Sequence, residues 1–503
     1  MDITAAVATG APERPTYLLG RWLFLRLLGL MYLIAFVSLA VQITGLVGAH
    51  GVLPAQRFLE RAHALYGGEA YHLFPTLCWL GAGDAMLRAL CWGGALVALL
   101  VVGGVAQAPA LALLWFLYLS ASVVGQTFLW FQWDALLLEA GLLAVLYAPT
   151  GLGPSLARER APSDAMRWLV WWLLFRLMFL SGITKFASGD PAWRTLTALD
   201  YHFWTQPLPT WTAWYAQWWP GWTHRGMLLL IFAIELVVPW LILVPERLVR
   251  VRRTAAALLA LGQLGIAVTG NYGFFNALTL VLCVPLLDDR ALGRVLPLRL
   301  EAGAPEPFWK RRTIQVFVPV IALLSTLAFA REIVQTIPGS RGALDNPLLE
   351  VVAPFRSING YGLFRVMTTE RPEIVIEGSP DTVVWHAYEF RWKPGDVTRR
   401  PRFVAPHQPR LDWQMWFAAL DPDGAREWLG SLVEHLLRGT PEVLALLGEN
   451  PFPAGPPRYV RLVYYHYRFA TPAERARTGA WWQRDFAGYL TPALSLPGRP
   501  APR

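Results

Sequence analysis

Residues 89–133, ALCWGGALVALLVVGGVAQAPALALLWFLYLSASVVGQTFLWFQW, contain no Asp, Glu, Lys or Arg. A membrane-spanning helix needs about 20 predominantly apolar residues, so this stretch is too long for a single crossing. The segment GGVAQAPA, with Pro109, divides it into two helices. The stretch therefore predicts a helical membrane protein.

The composition of the whole chain agrees with this prediction. Of 503 residues, 55% are apolar and only 16% are charged, whereas soluble domains carry about 25% charged residues. Three cysteines cannot form a disulfide framework. The net charge of +9 comes from arginines that do not form one basic stripe, so we expect no nucleic-acid partner. Arginine far outnumbers lysine, and with the abundant Ala, Gly and Pro this favours a GC-rich, bacterial source.

We predict a polytopic helical domain over residues 1–333 and a C-terminal soluble domain over residues 334–503. About nine membrane helices are expected, at about 22–47, 84–103, 111–129, 134–149, 168–186, 227–245, 254–268, 273–287 and 313–331. In the tail, the alternating runs TVVWHAYEFRW and RYVRLVYYHYRF predict half-buried strands, and the segments LDWQMWFAAL and AREWLGSLVEHLL predict amphipathic helices. The tail is therefore expected to be a strand-rich α+β domain.

The distribution of basic residues predicts the orientation. With the N-terminus inside, the predicted inner segments hold 15 Lys and Arg, and the outer segments hold 4. Cytoplasmic loops carry an excess of these residues. We therefore expect the C-terminal domain to lie outside the cytoplasm.

Five ionisable residues fall within or at the ends of the predicted membrane helices. Asp134, Glu139 and Lys185 lie near the outer ends, and Arg176 and Glu235 lie deeper. Such groups usually face the bundle interior and are candidates for function. Depth along the helices allows Arg176 to pair with either Glu139 or Glu235, as a structural ion pair or as part of a substrate or proton site.

Lys185 ends an apolar helix in the segment SGITKF and is one of only three lysines in the chain. A lysine at a helix end can simply extend its ammonium group to the membrane interface. Because lysine, unlike arginine, can lose its proton when it is desolvated, a base or ligand-binding role is the alternative.

The predicted outer loop 187–226 contains seven Trp residues. The loop is either an aromatic belt in the headgroup region or a surface that binds a client protein. The tail is also rich in Arg and Trp, which are common in protein interfaces. The client-binding candidates are Trp193, His202, Trp204 and Trp211 in the loop, and Arg391, Trp392, Trp413 and Trp416 in the tail. His202 is more often structural in such surroundings, with acid–base chemistry as the alternative.

Several enzyme signatures are missing from the sequence. It contains no GxSxG nucleophile elbow, and no HExxH, GxxxxGK[ST] or GxGxxG motif. The nine histidines show no metal-ligand spacing. We therefore expect no metal and no cofactor, and a non-enzymatic role is favoured over an enzymatic one.

Five stretches, taken in order, resemble the lipase maturation factor family. They are FQWDALLLEAGLLA (131–144), RLMFLSGITKFASGDPAWRTLTALDYHFWTQPLPTWTAWY (176–215), NPLLEVVAPFRSINGYGLFRVMTTERPEI (346–374), YEFRWKPGD (388–396) and RRPRFVAPHQPRLDWQMWFAAL (399–420). The resemblance implies a membrane-bound factor that helps secreted clients, lipases in animals, to mature. Its partners would be membrane lipids and the client. It would lie in the endoplasmic reticulum membrane of eukaryotes or the inner membrane of bacteria, with the C-terminal domain in the lumen or periplasm.

A shorter segment, SGITKF…DPAW, is similar to the vitamin K-dependent gamma-carboxylase and its bacterial relatives. In the carboxylase a lysine at this place acts as the base toward the reduced vitamin, and the matching residue here is Lys185, followed by Trp193. This likeness implies an alternative function: a membrane enzyme that acts on a quinone-like or lipid substrate, with Lys185 as base and Glu139, Arg176 and Glu235 as supporting charges.

Overall fold

The computed structural model describes residues 15–154, 158–337, 340 and 344–498. The outermost parts of the two predicted domains, residues 1–14 and 499–503, lie outside the described residues. The α-helices are α1 (Leu18–Ala40), α2 (Ile43–Val47), α3 (Ala55–Tyr66), α4 (Ala70–Leu73), α5 (Asp84–Gly103), α6 (Gln107–Val124), α7 (Gln132–Tyr147), α8 (Asp164–Ala187), α9 (Pro191–Arg194), α10 (Ala198–Thr205), α11 (Trp211–Gln217), α12 (Gly221–Phe232), α13 (Val249–Thr269), α14 (Phe275–Cys283), α15 (Asp289–Leu292), α16 (Phe308–Thr336), α17 (Pro347–Val352), α18 (Arg410–Leu420), α19 (Arg426–Arg438), α20 (Pro441–Leu444) and α21 (Pro472–Thr478). The strands are β1 (Arg158–Glu159), β2 (Glu301–Ala302), β3 (Pro372–Ser379), β4 (His386–Ala387), β5 (Tyr459–Phe469) and β6 (Trp482–Tyr489).

The fold is a helical membrane bundle with a small antiparallel sheet near the C-terminus, which confirms the predicted fold class. Among the described residues, 7 helices are long and apolar enough to cross a membrane. They are Leu18–Ala40, Asp84–Gly103, Gln107–Val124, Asp164–Ala187, Gly221–Ile242, Glu246–Thr269 and Phe308–Thr336. Two predicted membrane helices are shorter than this: α7 has 16 residues and α14 has 9. Both are largely buried inside the bundle, where a helix does not have to match the thickness of the bilayer.

The first helix ends earlier than predicted, at Ala40, and a separate helix follows from Ile43. Gln42 lies at this break, and its amide nitrogen donates to the carbonyl oxygens of Ser38 and Gln408 at 2.6 and 2.7 Å. The side chain therefore joins the broken helix to the C-terminal part of the chain, a contact that hydropathy alone does not reveal.

The membrane helix that begins at Gly221 changes form at Ala233. A π-helical turn covers Ala233–Val237, and a 3₁₀ segment covers Val238–Ile242. Pro239 is the local cause, because its ring lacks an N–H and excludes a regular hydrogen bond to the carbonyl of Glu235. Such π-turns are frequent at functional sites, and Glu235 lies in this one.

The C-terminal sheet has the strand order β4-β3-β5-β6. In the register of β3 and β5, Ile374 pairs with Tyr464 and Ile376 with Leu462. The run RYVRLVYYHYRF forms β5 as predicted. In contrast, only His386–Ala387 of the run TVVWHAYEFRW is a strand, because the Asp381 carboxylate accepts the backbone N–H groups of Val383 and Val384 and holds the preceding residues in a turn.

The membrane bundle and the C-terminal region share one hydrophobic core. The same cluster of buried side chains contains Phe24 and Leu136 of the bundle and Met415 and Leu432 of the C-terminal region. The helix α16 also extends to Thr336, past the predicted boundary at residue 333. The C-terminal region is therefore packed directly against the membrane helices.

Candidate functional site

A buried ion pair joins α7 to α18. The Arg410 guanidinium donates to both carboxylate oxygens of Asp134, at 2.9 and 2.8 Å, and the Tyr118 hydroxyl donates to the same carboxylate at 2.5 Å. The side chains of Arg410 and Asp134 are 1% and 2% exposed. With both charges paired and hydrogen-bonded, this cluster fixes α18 on the bundle.

A second buried cluster resolves the choice of partner for Arg176. Arg176 forms an ion pair with Glu139 and donates to the carbonyl oxygen of Asn359 at 3.0 Å. Glu139 also accepts the Tyr361 hydroxyl at 2.7 Å and the Asn359 side-chain amide at 3.1 Å. The segment NGYG (359–362) therefore closes over the ion pair, which supports the structural interpretation of these two charges.

The loop 187–226 is attached to the C-terminal sheet by Arg371. Its guanidinium donates to the carbonyl oxygens of Trp204 and Pro207, each at 2.8 Å, and to that of Gln206. Glu373 accepts from the Arg371 Nε at 2.9 Å and balances its charge. The loop side chains Trp193, Leu199, Phe203 and Trp214 share a second hydrophobic cluster with Tyr467, Phe469, Trp481 and Trp482 of the sheet region. The loop is thus a fixed part of the folded structure.

The predicted client-binding residues differ in burial. Trp193, Trp413 and Trp416 are only 5%, 4% and 8% exposed, so other parts of the folded protein cover them. Trp193 and Trp416 donate their indole N–H groups to the carbonyl oxygens of Phe364 and Thr205, at 3.0 and 2.8 Å. His202, Trp204, Trp211 and Trp392 are half-buried, and Arg391 is exposed. Trp193 and Trp416, both predicted to bind a client, therefore join the loop to the tail.

Lys185 pairs with Glu235, not with solvent. Its Nζ lies 2.6 and 2.7 Å from the two carboxylate oxygens, and both side chains are 8% exposed. Gly182, one turn before Lys185, permits this approach, because a Cβ there would lie 2.8 Å from the Glu235 Cβ. The lysine is therefore buried and paired within the folded protein.

The Lys185–Glu235 pair lines a cavity of about 50 Å³ between α8, the π-helical turn, α13 and α14. Gln263, Asn276 and Thr279 supply further polar groups. The apolar wall is formed by Leu177, Met178, Ile266, Phe275, Leu363 and Phe364. Of the four charged residues named in the enzymatic alternative, Lys185 and Glu235 line this cavity, whereas Glu139 and Arg176 pair with each other outside it.

Phe364 lines this cavity, and sequence reasoning missed it. Its backbone φ is +56°, a strained conformation for a bulky residue. Its ring lies edge-on to the rings of His202 and Tyr272, with centroid distances of 5.0 and 5.8 Å. The only signal in the sequence is its position directly after the NGYGL segment that covers Glu139.

His202 stands beside the cavity. Burial, together with the nearby Lys185 charge, lowers the pKa of His202 to about 4. Its Nε2 lies 3.2 Å from the Tyr272 hydroxyl, which in turn donates to Gln206 at 2.8 Å. A neutral imidazole held in this way supports the structural interpretation of His202. Across the described residues, no group of three or more His, Cys, Asp or Glu side chains is arranged to hold a metal ion.

Comparison with known proteins identifies the family of this chain. Residues 19–294 match the family described as "Lipase maturation factor transmembrane domain", and residues 357–492 match "Lipase maturation factor C-terminal domain". The chain belongs to the lipase maturation factor family. Human lipase maturation factor 2 is 38% identical over 95% of this chain and 83% of its own length. Bovine (Bos taurus) lipase maturation factor 1 is 34% identical over 97% of this chain and 91% of its own length.

Chicken (Gallus gallus) lipase maturation factor 2 is 36% identical over 96% of this chain and 82% of its own length. No solved structure matches the chain. The two family regions meet at the buried pairs described above, since Asp134 and Glu139 lie in the transmembrane region and Arg410 and Tyr361 lie in the C-terminal region. As a member of the lipase maturation factor family with several apolar helices, the chain is a multi-pass membrane protein.

Proposed function

We propose that this protein assists the maturation of a secreted client protein, of the lipase class by analogy with the names of its relatives. The observation that carries the proposal is the attachment of the outer loop and the C-terminal sheet to the membrane bundle through buried charges. Arg371 binds three loop carbonyls, and Arg410 binds Asp134 of α7. Together these contacts join the loop, the sheet and the bundle into one packed platform, on which a client could bind.

The client is proposed to bind at the edge strand β6. The outer edge of such a strand offers backbone groups to an extended segment, and β6 ends the sheet order β4-β3-β5-β6. Phe486 and Tyr489 are 57% and 60% exposed on this strand, and their ring centroids are 5.2 Å apart. These exposed aromatics replace the buried tryptophans as the client-binding candidates.

The client test starts from cells in which the gene is deleted. These cells are complemented with either the wild-type gene or the Phe486→Ala/Tyr489→Ala variant, and their secreted proteins are compared. We expect the variant to lower the specific activity of the secreted lipase several-fold, while the amount and folding of the membrane protein stay unchanged. Val383→Ala, at a site that is 79% exposed but not on β6, is the matched control. Equal activity for the double variant and the wild type would remove β6 from the proposal. Unchanged secreted activity in the deletion cells would overturn the maturation function.

The platform is proposed to face the lumen or periplasm, and the excess of basic residues in the predicted inner segments supports this orientation. Cysteine labelling tests it cleanly, because Cys78, Cys91 and Cys283 are all buried. A membrane-impermeant maleimide should label Val383→Cys in intact bacterial spheroplasts, or in sealed microsomes whose lumenal side faces outward. Val295→Cys, 80% exposed in a predicted inner segment, should react only after permeabilisation. The reverse pattern would contradict the orientation.

A further inference from the structure

The cavity beside Lys185 has hydrogen-bond donors that lack strong acceptors. The Lys185 ammonium has three N–H donors, and its hydrogen bonds go to a single carboxylate, that of Glu235. The Gln263 amide nitrogen donates to the Met178 sulfur at 3.7 Å, and a thioether is a weak acceptor. The Gln263 oxygen is already used, because it accepts from Asn276 at 2.8 Å. A molecule in the cavity would therefore need to supply an acceptor.

The hydroxyl groups that line the cavity are already used as donors. Ser181 donates to the carbonyl oxygen of Leu177 at 2.7 Å, and Thr279 donates to that of Phe275 at 3.0 Å. Tyr272 donates to Gln206. The ammonium of Lys185 and the amide of Gln263 are consequently the groups that would select a ligand.

Charge decides between an anionic and a neutral ligand. Glu235 lies within 2.7 Å of the Lys185 nitrogen, so the pair is neutral as a unit, and an anion would meet the carboxylate at close range. A neutral carbonyl oxygen accepts from an ammonium group and from an amide without this repulsion. The remaining wall is apolar and lies within the membrane bundle, which suits the carbon atoms next to such a carbonyl.

We propose that this cavity binds the carbonyl head group of a neutral membrane lipid, with Lys185 and Gln263 as donors and Phe364 as the cap. The carbonyl belongs either to an acyl ester or to an isoprenoid quinone, which share this chemistry. Strained backbone persists where the surrounding structure holds it, often at ligand clamps. Phe364 fits this pattern, since its carbonyl oxygen accepts from the Trp193 indole N–H at 3.0 Å and the residue lines the cavity. The cavity admits only a small head group in its present shape, so a larger ring requires the Phe364 side chain to move.

Lipid that copurifies with the full-length protein provides the test. The protein is purified in a mild detergent, washed to constant composition, and analysed by native mass spectrometry and by mass spectrometry of its lipid extract. We expect close to one carbonyl-bearing lipid per wild-type protein. The double variant Lys185→Met/Glu235→Gln, which removes both charges together, should lower this amount at least tenfold, and Gln263→Leu should lower it several-fold. Ultraviolet absorbance of the extract distinguishes a quinone from an acyl ester.

The control is Lys310→Met/Glu306→Gln, which removes another buried Lys–Glu pair, with an N–O distance of 3.3 Å, outside the cavity. It should keep the lipid. If the Lys185 double variant does not fold, Gln263→Leu and the wild-type stoichiometry decide the outcome. A folded wild-type protein without stoichiometric lipid, or equal lipid in wild type and folded cavity variants, would overturn the proposal. Client maturation is not measured here, so a failure of the proposed function does not affect this result.

Discussion

Arg410 and Asp134 are 276 residues apart in the chain, yet they form a bidentate ion pair with N–O distances of 2.9 and 2.8 Å. Removing one partner of a buried pair leaves the other charge unpaired in an apolar surrounding, which costs about 3–5 kcal/mol. We therefore expect Arg410→Ala to lower the free energy of unfolding by about this amount and to loosen α18 from α7. Thermal unfolding in detergent and limited proteolysis measure the two effects.

The control for this variant is Arg426→Ala. Arg426 pairs with Asp423 at 2.6 Å, but the two side chains are 82% and 87% exposed. Exposed pairs contribute about 0–1 kcal/mol, so this variant should unfold close to the wild-type temperature. If the two variants behaved alike, the buried pair would not hold α18 in place.

Gly182→Ala should separate α8 from the π-helical turn. The added Cβ would lie 2.8 Å from both the Glu235 Cβ and a Leu236 methyl carbon, so the backbones have to move apart. Overpacking of this kind typically costs about 1–3 kcal/mol. Gly265→Ala, on α13 with no atom within 4 Å of the new Cβ, should be neutral or slightly stabilising. The difference in thermal unfolding temperature between the two variants measures the clash.

Two histidines should make stability depend on pH. Burial lowers the pKa of His202 and that of His407 to about 4, whereas the unfolded chain binds these protons near pH 6.5. The unfolded state therefore binds more protons between these values, and stability falls as the pH drops from about 6.5 to about 4. We expect His202→Gln/His407→Gln to flatten this part of the curve of unfolding temperature against pH. His466→Gln, at a side chain that is 47% exposed, should leave the slope unchanged.

Trp416→Ala should act through folding and not through a lost client contact. The buried indole donates to the Thr205 carbonyl oxygen at 2.8 Å, and truncation of a buried Trp costs about 3–5 kcal/mol. We expect less folded protein in the membrane and a matching loss of client maturation. Trp222→Ala, at a residue that is 75% exposed, should leave the amount of folded protein unchanged. A Trp416→Ala protein that folds normally but fails to support maturation would restore Trp416 as a docking residue.

Several elements follow directly from local patterns in the sequence. The strand β5 coincides with the alternating run RYVRLVYYHYRF, and the charge-free stretch 89–133 divides into α5 and α6 as the Gly and Pro residues predict. In contrast, local patterns did not indicate that the first helix would end at Ala40, or that Gln42 at the break would contact Gln408. Those features depend on contacts with residues that are distant in the chain.

In the candidate site, too, the sequence predicts one part of the arrangement and only the packing decides the other. Hydropathy places Glu139, Arg176, Lys185 and Glu235 at membrane depth, where charges are costly and must find partners. Depth alone allows more than one pairing, and the rotation of each helix about its axis decides among them. The sequence also cannot show that Trp413 and Trp416 face inward, because aromatic side chains suit a buried core as well as a binding surface.

The sequence by itself determined the membrane class, the approximate positions of the helices, the strand β5 and the resemblance to a family, since these depend on composition and on periodicity along the chain. Only the tertiary structure decided that Arg176 pairs with Glu139, that Lys185 and Glu235 share a cavity, and that Phe364 lines it. The physical reason is that a buried charge needs a partner in space, and the partners of these charges are set by the packing of α7, α8, the π-helical turn and the C-terminal region against one another.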